Sequence, residues 1–414
     1  METIRTKTIK TSFFAFAILV LFFSVSCSTE EEQDEFIWKK DSNGDIIITG
    51  YTGSGGAVVI PEQIDGSQVR SIGERAFKEK KLTSVTIPKT VIYIENEAFS
   101  YNRLTSVKIP AGITHIRHEV FRQNRLTSID IPDSVISIGY WAFAENCLTN
   151  INIPDSVTSI GGRAFFNNEL TSINIPNGVT SIEYFAFSMN QLTNINIPES
   201  VTFIDVGAFH YNHLINVTIP EGVTHIGYGA FANNQLNSIT IPNSVTSLQG
   251  FQNNCLTSIN IPDGVTHIGD DAFSYNQLTN VNIPDRVTHI GDDAFSYNQL
   301  TSVNIPDGVI SIGYMAFGFN ELTSVNIPDR VTSIGGVAFY NNQLDSVNIP
   351  NSVTAIGSRA FAVNKLTRII IDTKLELDNV FINGFEDSYK NNNRVSGTYV
   401  RSNTEIWNWT WIGN

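Results

Sequence analysis

The amino-acid sequence predicts a repeat solenoid, mainly β, in the form of a parallel-strand rod of about fourteen coils of 22 residues each. Three observations lead to this prediction. A leucine recurs every 22 residues, all fourteen prolines occupy one position of the repeat, and a phenylalanine occupies another position of every coil. Repeats of this length stack so that each coil contacts only its neighbours. We therefore expect one continuous core, with short turns or helical loops on the side opposite the strands.

The repeat is regular except at one coil. Counted from leucine to leucine, the step is 22 residues everywhere but between Leu236 and Leu256, where it is 20. In that short coil, residues 248–251 read LQGF where other coils read IGxxAF, so we expect a shorter outer loop and a local offset of the stack. The units begin at Leu82, Leu104, Leu126, Leu148, Leu170, Leu192, Leu214, Leu236, Leu256, Leu278, Leu300, Leu322, Leu344 and Leu366.

Within each unit, apolar residues recur at positions 1, 4, 6, 10, 13, 17 and 18 counted from the leucine. Positions 1 to 6, LTSVNI in residues 300–305, alternate with period two and are rich in β-branched residues, which predicts a short strand. The proline at position 7 has no backbone N–H to donate, so the strand is expected to end there. The phenylalanines at position 18 should form an internal spine of rings spaced by about one strand separation, roughly 4.8 Å.

Asparagine occupies position 21 thirteen times, from Asn102 to Asn364. A side-chain amide in a turn can accept from and donate to the backbone of a neighbouring coil. It would thereby satisfy polar groups that stacking buries. We expect a structural ladder of amides and not a ligand site.

The full pattern LxxVxIPxxVxxIGxxAFxxN resembles the repeat of BspA-like bacterial surface proteins, which are leucine-rich-repeat proteins. The resemblance covers residues 60–371, about three quarters of the chain. It implies a leucine-rich-repeat solenoid over those residues and adhesion to host matrix proteins or to other cells. It does not identify the ligand.

The first residues predict export. Residues 1–26 carry Arg5, Lys7 and Lys10 before an apolar run that is too short for a transmembrane helix, which is typical of a signal peptide. Residues 24–27, SVSC, resemble a bacterial lipobox, and this implies lipid attachment at Cys27. Lipoboxes prefer leucine where Ser24 stands, so a plain signal peptide, with the protein freely secreted, stays open.

The segments that flank the repeats are expected to be a tether and two caps. Residues 27–35 form an acidic tether that resembles the signal sending lipoproteins of some Gram-negative anaerobes to the outer face of the outer membrane, which implies a cell-surface location. Residues 36–59 contain two strand-like runs and are expected to form an N-terminal β cap, because a solenoid end exposes its core. Residues 372–414 are expected to form the C-terminal cap, where Trp407, Trp409 and Trp411 favour a strand with three indoles on one side. A ligand platform lined by these tryptophans is the alternative.

Charge and composition argue against several function classes. At a formal net charge of −14 and without a basic patch, the chain should repel nucleic acid and anionic membranes, so membrane contact is expected only through a lipid anchor. Serine and aspartate recur in every coil, and no Ser, His and Asp trio stands apart, so we expect no catalytic residues, no enzyme activity and no cofactor. Neither the adjacent-coil pair His267 and His289 nor the acidic residues 270–271 and 292–293 are expected to bind metal.

The candidate ligand-binding residues are aromatic. Outward positions of the strand are nearly all Ser, Asn or Thr, whereas positions 15, 16 and 20 on the far side vary from coil to coil. Tyrosine and tryptophan combine apolar faces with a polar group, so we expect ligand contacts there, although packing against the outer loops is an alternative. The candidates are Tyr140, Trp141, Tyr184, Phe185, Tyr228, Tyr275, Tyr297 and Phe319.

Together these features predict a non-enzymatic adhesion protein of the cell surface that presents a repeated scaffold to host or bacterial surface proteins. Repetition supplies many weak contacts, whose avidity can exceed a single affinity by about 10²–10⁴-fold. Two alternatives stay open, a glycan-capturing module of an uptake system and a passive structural coat.

Overall fold

A computed structural model describes residues 35–372, 375–377, 379–381, 385–402 and 408–413. The predicted signal peptide, Cys27 and all of the tether except Glu35 lie outside the described residues. The described chain is a mainly β solenoid of about 15 coils with a spacing of about 22 residues, which confirms the predicted fold class. Among the described residues, no helix combines the length and the apolar character needed to cross a membrane.

The most regular strands lie at positions 12 and 13 of the coil, where the sequence predicts none. Most of these two-residue strands pair in parallel and in register with the same positions of the next coil, as His267–Ile268 does with His289–Ile290. In nearly every pair the second residue is buried. These strands are Tyr93–Ile94, His115–Ile116, Ser137–Ile138, Ser159–Ile160, Ser181–Ile182, Phe203–Ile204, His225–Ile226, Ser247–Leu248, His267–Ile268, His289–Ile290, Ser311–Ile312, Ser333–Ile334 and Ala355–Ile356.

The strand predicted at positions 1 to 6 is only partly formed. In several coils this strand is reduced to a single parallel bridge at position 5, such as the one between Asn282 and Asn304. The backbone bond between successive threonines at position 2 is long, 3.3 Å from the N–H of Thr127 to the carbonyl of Thr105, and proline at position 7 can donate none. This ladder is therefore too weak to form a continuous sheet. It reaches strand length at Leu82–Thr86, Asn194–Asn196, Asn216–Thr218, Ser346–Ile349 and Arg368–Ile371.

The side opposite this ladder is built from turns, and no helix occurs there in the described coils. Backbone N–H groups at positions 16, 18 and 20 donate to carbonyls of the following coil, as Glu97 does to His118 at 2.9 Å and Tyr101 to Arg122 at 2.9 Å. Positions 16 and 20 adopt left-handed backbone angles in nearly every coil, with φ of 57° at Glu97 and 60° at Tyr101. Two left-handed residues per coil let the chain turn tightly while keeping its bonds to the next coil.

A spine of phenylalanine rings fills the core as predicted. Successive rings at position 18 are stacked with centroids 5.2–5.8 Å apart, somewhat wider than one strand separation. The rings from Phe77 to Phe361 are almost completely buried. The spine therefore joins all coils into one hydrophobic core.

The predicted asparagine ladder is also confirmed. The Asn212 Oδ1 accepts from the Leu192 N–H at 3.0 Å, and its Nδ2 donates to the carbonyls of Phe187 and Phe209 at 3.0 and 3.1 Å. The same three bonds recur from Asn102 to Asn364. Each amide ties two adjacent coils together and leaves its own polar atoms satisfied.

At the N-terminal end, the two strand-like runs form an antiparallel hairpin of Phe36–Lys40 and Ile46–Tyr51. The second strand pairs in parallel with Ser67–Ile72, and Gly56–Val59 pairs in parallel with Leu82–Thr86. The short strand Gln63–Ile64 folds back on Ser67–Ile72. The rings of Phe36 and Tyr51 pack on Phe77, so this hairpin covers the first ring of the spine.

At the C-terminal end, Phe381 stacks on Phe361 at 5.4 Å and extends the spine by one ring. The helix Phe385–Asn391 follows. The strand Gly397–Val400 pairs antiparallel with Arg368–Ile371, and Thr410–Gly413 pairs antiparallel with Gly397–Val400. Trp409 is buried against Phe385, whereas Trp411 is 42% exposed, so the two indoles differ in burial. Trp407 lies outside the described residues.

Candidate binding face

The predicted ligand-binding residues lie on one face, which we call the outer face and define by the side chains at positions 15, 16 and 20. The left-handed backbone at positions 16 and 20 fixes the direction in which these side chains leave the chain. Because position 18 carries the spine, the outer face lies directly over the phenylalanine core. The structure divides the eight candidate residues into two aromatic segments and a groove between them.

The first segment, which we call the cation–π segment, alternates aromatic rings with arginines. The guanidinium of Arg122 lies 4.1 Å from the Trp141 ring centroid, and that of Arg163 lies 4.7 Å from Trp141 and 5.1 and 5.0 Å from Tyr184 and Phe185. A cation over an aromatic face is attracted by the ring quadrupole. Sequence inspection missed both arginines, although each lies one coil from an aromatic candidate.

Packing against glycines explains why these rings lie flat on the coils. The ring of Tyr184 covers Gly162 of the preceding coil, since a Cβ on that glycine would lie 2.3 Å from the ring. Phe185 covers Gly207 of the following coil in the same way. Trp141, Tyr184 and Phe185 are half-buried, so the packing alternative accounts for part of their role. Tyr140 is 40% exposed and leans on Tyr184, with the ring centroids 5.9 Å apart.

The second segment, which we call the stacked segment, consists of Tyr275, Tyr297 and Phe319. These rings occupy position 20 of three consecutive coils and lie nearly parallel, with centroids 4.3 Å apart in both pairs. They form the aromatic stripe that the sequence predicts. Tyr275 is 52% exposed at the end of the stack, and Tyr297 and Phe319 are half-buried between neighbours. The stack therefore presents ring edges and one open face to solvent.

Between the two segments lies a groove of about 680 Å³ at the short coil. Three coils in a row lack a side chain at position 16, because Gly207 and Gly229 occupy it in two of them and the third has lost two residues. The groove is lined by Phe185, His210, Tyr228, Gln252, Asn253 and Tyr275, among others.

The spine passes the short coil without the expected offset. Phe231 and Phe251 are stacked at 5.7 Å with an interplanar angle of 4°, like other pairs. The short loop is possible because Gly250 adopts φ +99° and approaches the Gly227 carbonyl, where a Cβ would come within 2.6 Å. The loss of two residues is thus absorbed entirely on the outer face, where it opens the groove.

Polar groups of the groove are joined by hydrogen bonds. The Tyr228 hydroxyl donates to Asp271 Oδ2 at 2.9 Å, and burial together with this bond raises the pKa of the phenol. Asn233 Nδ2 lies 2.8 Å from His210 Nε2, and Asn253 Nδ2 donates to Asn233 Oδ1. Burial lowers the pKa of His210, which favours the neutral ring, and a neutral ring can accept through Nε2.

Two acidic residues beside the groove accept hydrogen bonds from backbone N–H groups of the next coil. Asp270 Oδ1 accepts from the Asp292 N–H at 2.8 Å, and Asp292 Oδ1 accepts from the Tyr314 N–H at 2.6 Å. Burial is the main cause that raises the pKa of Asp293, and the charge of Asp271 adds to it. Within the described residues, no three His, Cys, Asp or Glu side chains are arranged to hold a metal ion.

The histidine pair lies on the other side of the coil. The rings of His267 and His289 are stacked with centroids 5.1 Å apart, at position 12 and away from the groove. Both residues are exposed.

Two cysteines lie within the described coils. Cys147 and Cys255 are free thiols.

The strand face is uniform and exposed. The asparagines at position 5 are solvent-exposed, and they differ little from coil to coil. The outer face is chemically more varied than the strand face. The exposed asparagines are Asn152, Asn174, Asn196, Asn282, Asn304 and Asn326.

Comparisons with known proteins agree on the repeat. A family model described as "BspA type Leucine rich repeat region (6 copies)" matches residues 63–167, 138–250 and 247–368. A leucine-rich repeat protein from Bacteroides ovatus ATCC 8483 is 26% identical, with a TM-score of 0.64 over 79% of this chain and 90% of that chain. A leucine rich cell surface protein from Faecalibacterium prausnitzii A2-165 is 27% identical, with a TM-score of 0.49 over 77% of this chain and 88% of that chain. No curated protein matches the sequence.

Proposed function

Because this chain belongs to the BspA-type leucine-rich-repeat family, we propose that it is a non-enzymatic surface protein that attaches its cell to other proteins through the outer face. The family supports a repeat scaffold for protein interaction. The finer proposal is adhesion, either to host matrix proteins or to proteins of other cells.

The contrast between the two faces is the observation that supports this proposal. The outer face carries Tyr140, Tyr228 and Tyr275 with 40%, 44% and 52% of their surface exposed, next to rings held in fixed orientations. Tyrosine, tryptophan and arginine are enriched among the residues that dominate binding energy at protein interfaces. A rigid ring loses little conformational entropy on binding, which favours it as a contact. The strand face offers no comparable anchors.

The rod shape suits attachment by many weak contacts. The two aromatic segments lie several coils apart on the same face, so a large partner can engage both. Linked contacts raise the overall affinity without any new type of interaction. The proposal therefore expects a modest affinity for each segment alone and a higher affinity for the intact rod.

Display on the cell requires an anchor, which we propose to be lipid on Cys27. Lipid chains stabilise attachment by about 0.8 kcal/mol per buried methylene, and more than one chain is needed for a stable anchor. In the source cell, Cys27→Ser should release the protein from the membrane fraction to the medium or the periplasm. Unchanged membrane fractionation of Cys27→Ser would contradict lipid attachment and favour another mode of retention.

The test of adhesion measures binding of the full mature protein to immobilised collagen, laminin and fibronectin by surface plasmon resonance. Binding to at least one of these, above an albumin-coated reference surface, is the expected result. It should become weaker when the soluble matrix protein is added as a competitor. If none of the three binds and whole cells that display the protein adhere no better than cells lacking it, the proposed function is wrong.

A further inference from the structure

We propose that the groove at the short coil is a binding site for a neutral oligosaccharide. This proposal goes beyond protein adhesion and does not depend on it, because it concerns a small ligand in a depression of the outer face. The depression shares Phe185, Tyr228 and Tyr275 with the candidate adhesion residues. The observations that carry it are the origin of the groove, its aromatic walls, its chain of amides and its charge.

The groove is a built feature of the fold and not a gap between loosely packed coils. The spine and the asparagine ladder pass beneath it unbroken, since Asn254 Nδ2 still donates to the carbonyls of Phe231 and Phe251 at 3.0 and 3.1 Å. Its volume of about 680 Å³ lies within the range of small-molecule sites, about 300–1,000 Å³. The backbone beneath the groove is therefore held by the same contacts as in other coils.

Aromatic rings stand on both sides of this floor. Phe185 lies at one end, Tyr275 lies at the other, and Tyr228 lies between them. Tyr228 and Tyr275 expose 44% and 52% of their surface. The face of an aromatic ring carries negative charge density, which attracts the C–H groups on the flat face of a pyranose. Rings at intervals along a groove suit a ligand made of several sugar units.

The polar lining matches hydroxyl groups. The side chains of Asn253, Asn233 and His210 form a chain of hydrogen bonds, in which each amide Nδ2 donates to the next side chain. The side-chain Oδ1 of Asn253 is left at the open end of this chain. Amide side chains offer both donors and acceptors, as sugar hydroxyls do. An apolar peptide segment in the same groove would cover these amides without replacing their bonds to water, at a cost in free energy.

Gln252 gives an independent indication. It lines the groove, and its Oε1 is buried with no hydrogen-bond partner among the described residues. A buried acceptor without a donor costs free energy. A ligand hydroxyl next to this amide would supply the missing donor once the side chain turns towards it.

Charge in and around the groove favours a neutral ligand. The carboxylate of Asp271 is the charged group of the lining, and Asp270 and Asp293 lie close by, so an anionic ligand would be repelled. Both oxygens of Asp271 already accept hydrogen bonds, from Tyr228 at 2.9 Å and from Ser274 at 3.0 Å, which reduces their attraction for a cation. A neutral polyhydroxylated ligand fits this environment best.

The test uses the full mature protein and isothermal titration calorimetry with malto-, cello-, xylo- and manno-hexaose as probes. At least one probe should bind with a dissociation constant of about 1 mM or tighter. Tyr228→Ala and Gln252→Ala should each weaken that binding, Tyr228→Ala by at least about tenfold. Tyr314→Ala is the matched control, because Tyr314 also occupies position 15 and is 50% exposed but does not line the groove.

A second variant fills the groove instead of removing a contact. Replacing Gln249 and Gly250 by Gly-Asp-Asp-Ala, the residues 269–272 of the next coil, restores the 22-residue length and should abolish oligosaccharide binding with the thermal unfolding curve retained. Absence of binding to all four probes overturns the proposal, as does undiminished binding by the filled variant. A failure of protein adhesion is distinguishable, because Tyr140→Ser with Phe319→Ser, at two outer-face residues that do not line the groove, should reduce adhesion but leave oligosaccharide binding intact.

Discussion

The hydroxyl of Tyr228 donates a hydrogen bond of 2.9 Å to Oδ2 of Asp271, and the two residues stand on the coils that flank the short coil. They are 43 residues apart in the sequence, which corresponds to about two coils, whereas contacts between adjacent coils join residues about one coil apart. The side chain of Tyr228 thus spans the place where the outer loop is missing. This bond links the two walls of the groove above a spine that keeps its ordinary spacing.

The Tyr228 and Asp271 pair should be energetically coupled. Tyr228→Phe and Asp271→Ala should each lower the free energy of unfolding, and the double variant should lose less than the sum because both remove the same bond. A bond of this kind contributes about 0.5–1.5 kcal/mol, and the exposed location favours the lower end. Urea unfolding of the four proteins in a double-mutant cycle measures the coupling. Strict additivity would show that the bond contributes nothing in solution.

The asparagine ladder should contribute far more to stability than the asparagines of the strand face. Asn276→Ala removes the acceptor of the Leu256 N–H and the donors to the Phe251 and Phe273 carbonyls, all of them buried. Each unsatisfied group costs about 1–3 kcal/mol, so a loss of about 3 kcal/mol or more is expected from urea unfolding. The control Asn282→Ala, at an exposed position, should change stability by no more than about 0.5 kcal/mol. Equal effects of the two variants would contradict the ladder's role.

Backbone strain should be removable at Val363. This valine has φ 57° and is 49% exposed, although β-branched residues disfavour the left-handed region. Asn341 occupies the same position one coil earlier with φ 54°. Val363→Asn should raise the free energy of unfolding by about 1 kcal/mol, measured by urea or thermal unfolding. The reverse change, Asn341→Val, should lower it by a similar amount, and a neutral result for both would refute the strain.

Glu97 should stabilise the fold in a pH-dependent way. Its bond to Arg75 lowers the pKa of the carboxyl, and Lys78 acts in the same direction. Because the folded-state pKa lies below the unfolded value, the stabilisation is complete above the ordinary glutamate pKa of about 4.3 and is lost as the pH falls through the lowered value.

Comparison of the wild type with Glu97→Gln tests this linkage. The wild type should have the higher free energy of unfolding at pH 7, and the difference should shrink progressively below about pH 4. The control Glu199→Gln, at an exposed position, should show a much smaller difference at either pH. If the difference in free energy of unfolding between the wild type and Glu97→Gln does not depend on pH, the charge of Glu97 is not the cause of that difference.

The repeat made most of the fold predictable. The period, the phenylalanine at position 18 and the asparagine at position 21 keep the same role wherever they recur, and so many copies of a pattern leave little ambiguity. The strand was harder to place, because the sequence pattern of Leu300, Val303 and Ile305 is strand-like while the backbone bonds there are long. Pairing in register at positions 12 and 13 depends on bond geometry, which apolar periodicity does not report.

The candidate site was predictable in place but not in detail. Variation from coil to coil located the outer face, yet it could not show that Tyr184 leans back over Gly162 while Phe185 leans forward over Gly207. Variation between coils also could not show that the guanidinium of Arg163 lies against both of these rings. The signal for the groove was present in the sequence, as glycine at position 16 in two coils followed by the loss of two residues. The sequence did not show that the phenylalanine spine continues through the short coil, nor that the loss of two residues opens a groove on the outer face.

The most direct test of the central claim, that the outer face is the working surface, compares two triple variants in binding to a matrix protein that the wild type binds. Tyr275→Ser, Tyr297→Ser and Phe319→Ser are combined in one, and Asn282→Ser, Asn304→Ser and Asn326→Ser in the other, with circular dichroism and urea unfolding to verify that both are folded. The aromatic triple should weaken binding by several kcal/mol, since an interface anchor contributes about 1–2 kcal/mol or more, and the strand-face triple should change it little. If the strand-face triple abolishes binding while the aromatic triple leaves it intact, the working surface is the strand face and the account is wrong.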